Sequence, residues 1–272
     1  MKNIFKKLIQ KIQAIYNTPE KKIIVIITSY NNSQWYEKNL KALLSQKYDN
    51  YYAIYIDDQS ADKTGELVKK YLDEHPEGKR VILKKNAARK GALQNIYEAV
   101  HSLSDDTIVI TYDGDDWFAH KNVLSTINKA YQNSNVWLTY GSYISTDGHA
   151  WCCEAISSYI VKNKLFRKHP WVFSHLRTFY AGLFKKIAKE DLMYEGKFFE
   201  MAWDLAFMFP MLEMAGNRFR FIKKVLYIYN CSNPINDFKK NIFLQKKLET
   251  TIRSKKHYPE LNFTGLDNNI FL

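Results

Sequence analysis

An alternation of apolar runs and helical spacing constrains this chain more than any other feature. Ile23 to Ile27 is an unbroken run of five β-branched residues. A run with no polar side is a strand buried on both faces, as in a parallel sheet. From Ser33 to Gln46 the spacing turns helical, with Trp35, Leu40, Leu43 and Leu44 on one stripe. "YYAIYIDDQSADKT" reads as a second strand ending in acids and turn residues, and Asp62 or Ser60 is placed to cap a helix through Leu72. "RVILKKN" is a short third strand, Arg89 to Leu103 a helix, and "DTIVITYDGDD" a fourth strand. Lys121 to Gln132 is a further helix and "NVWLTYGSY" a fifth strand. Such repetition predicts βαβ units: an α/β fold with a mostly parallel central sheet flanked by helices.

The chain has 272 residues, enough for one large α/β domain with a helical extension. Lysine and arginine number 40 against 28 acids, a net charge of +12. That excess draws polyanions, from nucleic acid to membranes and phosphorylated small molecules, although it also describes an ordinary lysine-rich surface. The cysteines, Cys152, Cys153 and Cys231, lack metal-pair spacing and form no disulfide framework. Cys152 and Cys153 read as packing residues in a reducing, cytoplasmic setting.

No apolar run approaches the ~20 residues that cross a bilayer. Residues 1–20 read as an amphipathic helix, with Ile4, Phe5, Leu8, Ile9, Ile12 and Ile15 on one stripe and lysines elsewhere. Such a helix either packs on its own domain or makes peripheral contact with an anionic membrane.

Residues 21–148 form the regular half. Residues 149–235 are less regular: "VFSHLRTFYAGLFKKI" is partly helical, and "FFEMAWDLAFMFPMLEMAG" is a buried helix carrying Pro210 and closed by Gly216. "RFRFIKKVLYIYN" supplies one or two strands, and residues 236–272 hold a basic terminal helix. With no internal repeat or low-complexity linker, the whole reads as one continuous domain.

In open parallel sheets ligands bind beyond the carboxyl ends of the strands. Three polar clusters lie there: "TSYNN", "DDQS" and "DGDD". Residues two apart in an extended chain point the same way, so Asp113 and Asp115 converge, with Gly114 giving the backbone room to turn. Carboxylates gathered at one point raise each other's pKa unless a cation intervenes. An all-oxygen set suits Mg2+ or Mn2+, with positions left for substrate phosphates. The competing reading is an acidic turn capping the next helix through Asp115 or Asp116.

"IIVIITSYNNSQWYEKNLKALLSQKYDNYYAIYIDDQSADKT", then "NAARKGALQN" and "YDGDDW", resemble the nucleotide-binding half of family-2 glycosyltransferases with the GT-A fold, over residues 22–140. "WDLAFMFPMLEMAGNRFRFI" and "LYIYNCSNPIND" resemble the acceptor half of one subgroup. The resemblance implies an inverting, metal-dependent transferase that uses a UDP-sugar donor. Thr28 and Tyr30 would then line the base pocket, with Tyr30 stacking on the pyrimidine. Asp58 would accept from uracil N3, and Asp57 would fix the loop. Arg89, or Lys90 in its place, would lie near base and diphosphate. Asp113 would meet the ribose or the metal, and Asp115 the metal, with Asp116 a rival for it.

Inversion needs a base for the acceptor hydroxyl and positive charge for the departing diphosphate. Family members place the base at a helix start in the second half. The usual acid doublet is absent there, where "EMAWDLAF" stands; Asp204 is the first choice and Glu200 the second. His175 and Arg177 in "FSHLRTF" are assigned to diphosphate or acceptor. Trp117, Trp171 and Trp203 offer a platform for a sugar ring or serve the core. The expected acceptor is a glycan, a lipid-linked sugar or a protein. Nucleic acid is not expected, because acids at three strand ends repel phosphate. The alternatives are a donor-binding protein without turnover and a sugar-1-phosphate nucleotidyltransferase. The second is disfavoured because "TSYNNSQW" stands where a glycine-rich loop would be.

Overall fold

The structure is a computed structural model that describes residues 19–151, 153–235 and 241–261. The stripe from Ile4 to Ile15, Cys152, and residues 236–240 and 262–272 of the expected terminal extension lie outside the described residues.

Strands β1 (Ile23–Ser29), β2 (Tyr51–Asp57), β3 (Val81–Lys85) and β4 (Ile108–Asp113) alternate with helices α1 (Tyr36–Leu44), α2 (Thr64–Glu74) and α3 (Ala92–His101). β5 (Trp117–Phe118), α4 (Val123–Tyr131), β6 (Leu138–Ser145) and β7 (Ala150–Trp151) follow. Beyond them come α5 (Ser158–Lys162), β8 (Thr178–Tyr180), α6 (Ala181–Lys185), the hairpin β9 (Met193–Tyr194) and β10 (Lys197–Phe198), α7 (Trp203–Ala215), β11 (Phe219–Tyr229) and α8 (Ile242–Ser254). The main sheet runs β3-β2-β1-β4-β8-β6-β11-β5, with β7 beside β6. β1, β2, β3 and β4 pair in parallel, as do β6 and β11.

β1 is buried through Ile27, as an apolar run flanked by two parallel neighbours must be. The fifth predicted strand is not beside the fourth. β8 lies between them, antiparallel to both β4 and β6. It is three residues long and carries no alternation to announce it. "RFRFIKKVLYIYN" forms one strand, β11, whose register against β6 shifts between Ile222 and Tyr227. Its far end pairs Tyr227 and Ile228 with Phe118 and Trp117, beside the acidic turn.

Two helix starts differ from expectation. α2 is entered through Lys63 in a left-handed conformation, φ 67°. Asp62 therefore stands outside the cap position, and its carboxylate accepts from the backbone N–H of Ser33 at 2.9 Å and of Thr64 at 3.1 Å. α3 begins at Ala92 rather than Arg89, because the preceding loop bends around Asp58. α7 is buried all round from Leu205 to Ala215, spans Pro210 and is closed by Gly216.

Candidate active site

A cleft of about 1370 Å³ opens beyond the carboxyl ends of β1, β2 and β4. Every candidate ligand residue named from the sequence lines it except Gly114 and Trp117.

At one end the Arg89 guanidinium lies 3.9 Å from the centre of the Tyr30 ring. Asp58, the first residue after β2, is 4% exposed and accepts from Asn86 Nδ2 at 2.7 Å and from the backbone N–H groups of Lys90 at 2.9 Å and Gly91 at 2.8 Å. Burial alone would raise this carboxyl; the surrounding amide and backbone donors outweigh it and hold the pKa below the usual carboxylate value. Asp58 is thus ionised and fixed. Asp57 accepts from Ser60 N at 3.2 Å within the loop that follows β2. The Lys90 ammonium is drawn to Glu98 at 2.7 Å, which leaves Arg89 as the cation beside Tyr30.

The acidic turn differs from the extended arrangement that the sequence suggests. β4 ends at Asp113, and the backbone folds so that Asp116 N donates to Asp113 O at 3.2 Å. Residues three apart come together at this turn. Asp113, Asp116 and His175 each offer a ligand atom, all within 4.8 Å of one another. Asp115 is instead held by Asn233, whose Nδ2 donates to Oδ2 at 2.7 Å. Asp116 is 1% exposed; its Oδ1 accepts from Asn230 N at 2.6 Å, and the Tyr227 hydroxyl donates to the same carboxylate. Burial and the adjacent Asp115 and Asp113 push Asp116 well above the ordinary carboxylate range. Burial also raises Asp115, with Asn233 opposing it.

Gly114 lies beneath the floor. Its N–H donates to Thr28 O at 2.9 Å, and a Cβ there would meet Ser29 Cβ at 2.6 Å. The glycine is needed for close packing of β1 against the turn. Trp117 is also away from the cleft, in β5, with the Lys38 ammonium 3.5 Å from its ring centre.

On the opposite wall Asp204 sits in the first turn of α7. Its Oδ2 accepts from Arg177 Nη1 at 3.2 Å, and Oδ1 accepts from Leu205 N at 3.1 Å. Burial raises its pKa, and the Arg177 charge draws it back part of the way. Glu200 is exposed, at the rim. Trp171 and Trp203 line the same wall.

Sequence reasoning missed the braces. Asn39, fully buried in α1, donates to the carbonyls of Asp113 at 3.0 Å and Asp116 at 2.8 Å. The Tyr227 hydroxyl lies 3.2 Å from Asp113 N and 3.4 Å from Asp113 Oδ2. An asparagine one residue before Leu40 on an apolar stripe was the only signal for the first, and "YIYNCSNP" offered none for Asn230 or Asn233 beyond its polarity.

A parallel-sheet fold whose strand ends deliver acids and an aromatic to one cleft, opposite a carboxylate at a helix start, defines a GT-A glycosyltransferase. The chain belongs to glycosyl transferase family 2, whose sequence profile matches residues 24–192. It is 24% identical to the glycosyltransferase GlyG of Streptococcus pneumoniae, over 62% of this chain and 57% of that protein. It is 27% identical to an uncharacterised glycosyltransferase of Nostoc, over 42% of this chain and 34% of that one. The chain thus spans about a third to somewhat over half the length of these curated relatives. Solved structures share the fold. S. aureus TarS in complex with UDP-GlcNAc has a TM-score of 0.58 at 17% identity, covering 78% of this chain and 59% of that one. The mannosyltransferase PcManGT of Pyrobaculum calidifontis, in complex with GDP-Man and Mn2+, has a TM-score of 0.56 at 16% identity, covering 92% and 72%. Among the described residues no helix is long and apolar enough to cross a membrane.

Proposed function

We propose that this glycosyltransferase inverts the anomeric centre of a UDP-sugar, with a divalent cation at the acidic turn and Asp204 as base. The convergence of Tyr30, Asp58, Asp113, Asp116 and Asp204 on one cleft carries this reading. Tyr30, already faced by a guanidinium, offers a flat surface to a pyrimidine. Asp58 retains acceptor capacity for the N3–H of uracil after its three hydrogen bonds. UDP is preferred on that ground, although the two structural neighbours carry different nucleotides.

The acidic turn fits a divalent cation. Asp116 is buried, and Asp113 and Asp116 place carboxylates together at a cost that a cation relieves. Asp113 and Asp116 would hold it, with Asp115, which lines the same cleft, as a further ligand. When bound, it supplies charge that stabilises the departing diphosphate.

Asp204 takes the proton of the acceptor hydroxyl as the oxygen bonds to the anomeric carbon and the bond to diphosphate breaks. A raised pKa suits a carboxylate that must gain a proton. Arg177 orients it. Glu200, at the rim and free in solvent, is the weaker choice. Trp171 and Trp203 support a sugar-bearing acceptor, whether free glycan, lipid-linked or attached to protein.

A thermal-stability screen of UDP-, GDP- and TDP-sugars with Mn2+ tests the donor. A true donor at a hundred times its Kd adds about 2.7 kcal/mol. Stabilisation by UDP-sugars is expected; preference for GDP-sugars, or no response, overturns the reading.

A further inference from the structure

We propose that the edge of the main sheet at β5 is a docking surface for an anionic lipid membrane. Six lysines carry it: Lys38 and Lys41 on α1, Lys47 in the loop after α1, Lys121 after β5, and Lys223 and Lys224 in β11.

The fold gathers them from three stretches of chain. Trp117 and Phe118 pair antiparallel with Ile228 and Tyr227, and Ala119 N donates to Leu226 O at 3.0 Å. Continued by two residues, that run sets Lys121 beside Lys223 and Lys224, where β11 departs from its register against β6. Lys47 N donates to Lys121 O at 2.8 Å. The Lys38 ammonium lies 3.5 Å from the centre of the Trp117 ring, so α1 brings its lysines to the same edge. Lys41 follows one helical turn later. His120 shares the neighbourhood: burial and then the Lys224 charge lower its pKa.

Charge separates this surface from an ordinary lysine-rich one. All six residues are exposed, and among the described residues none stands in an ion pair. The acids of the same segments are engaged elsewhere. Asp49 lies 3.8 Å from Arg80 Nη2. Glu37 is near α2, where burial and then its charge raise Tyr71. Six unpaired lysines match half of the net charge of +12. Lys69 and Lys70, on α2, show the ordinary case: they pair with Asp73 at 2.8 Å and Glu74 at 4.0 Å.

An anionic bilayer is the occupant that fits. None of the six lysines lines the cleft, so they form no seat for a small anion there. Single-stranded nucleic acid requires open aromatic faces between the cations. Trp117, the ring at this edge, is buried with Lys38 over it. A bilayer asks only for lysines spread over a surface, each raising partitioning about fivefold. Trp117 directly follows Asp116, so docking at this edge holds the cleft close to the headgroups.

Co-sedimentation of the full chain with vesicles is the test. One set is phosphatidylcholine alone, and the other contains one third phosphatidylglycerol. The expected result is binding to the anionic set only, weakened steeply by salt. Lys223→Gln with Lys224→Gln should lower that partitioning roughly 30-fold and leave thermal unfolding unchanged. Lys69→Gln with Lys70→Gln removes the same charge beside β3, the opposite edge, and should leave partitioning nearly unchanged. Equal loss in the two double variants, equal binding to both vesicle sets, or no binding overturns the proposal. So does full binding by the Lys223→Gln, Lys224→Gln chain, which would move the contact to another segment. Tighter binding of a single-stranded oligonucleotide through the same lysines overturns the membrane as occupant.

Discussion

Arg177 holds Asp204 from behind: Nη1 donates to Oδ2 at 3.2 Å, with side chains 2% and 21% exposed respectively. Both line the cleft, and the carboxylate is the more exposed of the two. Asp204→Asn keeps the shape and removes the basic group. Turnover should fall about 10²–10⁴-fold, the usual contribution of a positioned base, while nucleotide-sugar affinity stays. Steady-state rates beside direct binding check this, and full activity of the variant would remove Asp204 as base.

The same pair sets a pH dependence. Burial raises Asp204 above the ordinary carboxylate value and Arg177 opposes the rise. The base works only when ionised, so activity should fall as pH drops through that raised pKa. Arg177→Gln removes the opposing charge, and the acid limb of kcat/KM should move to higher pH. The sign for stability is separate: a raised carboxyl stabilises the fold fully below its unfolded pKa, and that contribution is lost as pH rises through the folded one. A profile unmoved by Arg177→Gln would show that this limb belongs to another group.

Much of this site was legible because parallel strands leave their signatures locally. Ile23 to Ile27 announces a two-sided burial, and the acids that follow such runs must lie at strand ends. What could not be read depends on turns and on distant chain. Asp113 and Asp116 meet because the strand stops at Asp113. No periodicity reveals where a strand stops. His175 reaches the acids through β8, a strand too short to show alternation, inserted between two strands that follow the pattern. Asn39 braces the turn from a helix whose own stripe reads as apolar core.

Gly114 yields a sharper test of the floor. A Cβ there meets Ser29 Cβ and Oγ at 2.6 Å and Asn32 Nδ2 at 2.9 Å. Ser29 belongs to the buried end of β1 and cannot move freely. Gly114→Ala should therefore cost about 1–3 kcal/mol, as overpacking does, and should weaken divalent-ion binding because Asp113 and Asp116 flank the displaced backbone. Urea denaturation and a Mn2+ titration measure the two effects. An alanine variant unchanged in both would show that β1 and the turn are packed more loosely than described.

A buried ion pair stands behind the wall formed by α8. Arg167 and Glu213 are a buried pair, with side chains 2% and 0% exposed, joined at 2.6 and 2.9 Å. Arg167 also donates to Ile252 O at 2.6 Å, and Glu213 accepts from Tyr258 N at 3.0 Å. The pair therefore ties α7, which carries Asp204, to the end of α8, whose Lys247 and Glu249 line the cleft. Removing one partner strands a charge in the interior. Glu213→Leu should cost about 3–5 kcal/mol. The double variant Arg167→Met, Glu213→Leu buries no charge and should recover most of that loss, since the desolvation of both ions disappears along with their attraction. Urea denaturation of the two singles and the double forms a cycle that isolates the coupling. Additive losses would mean that the two side chains act separately.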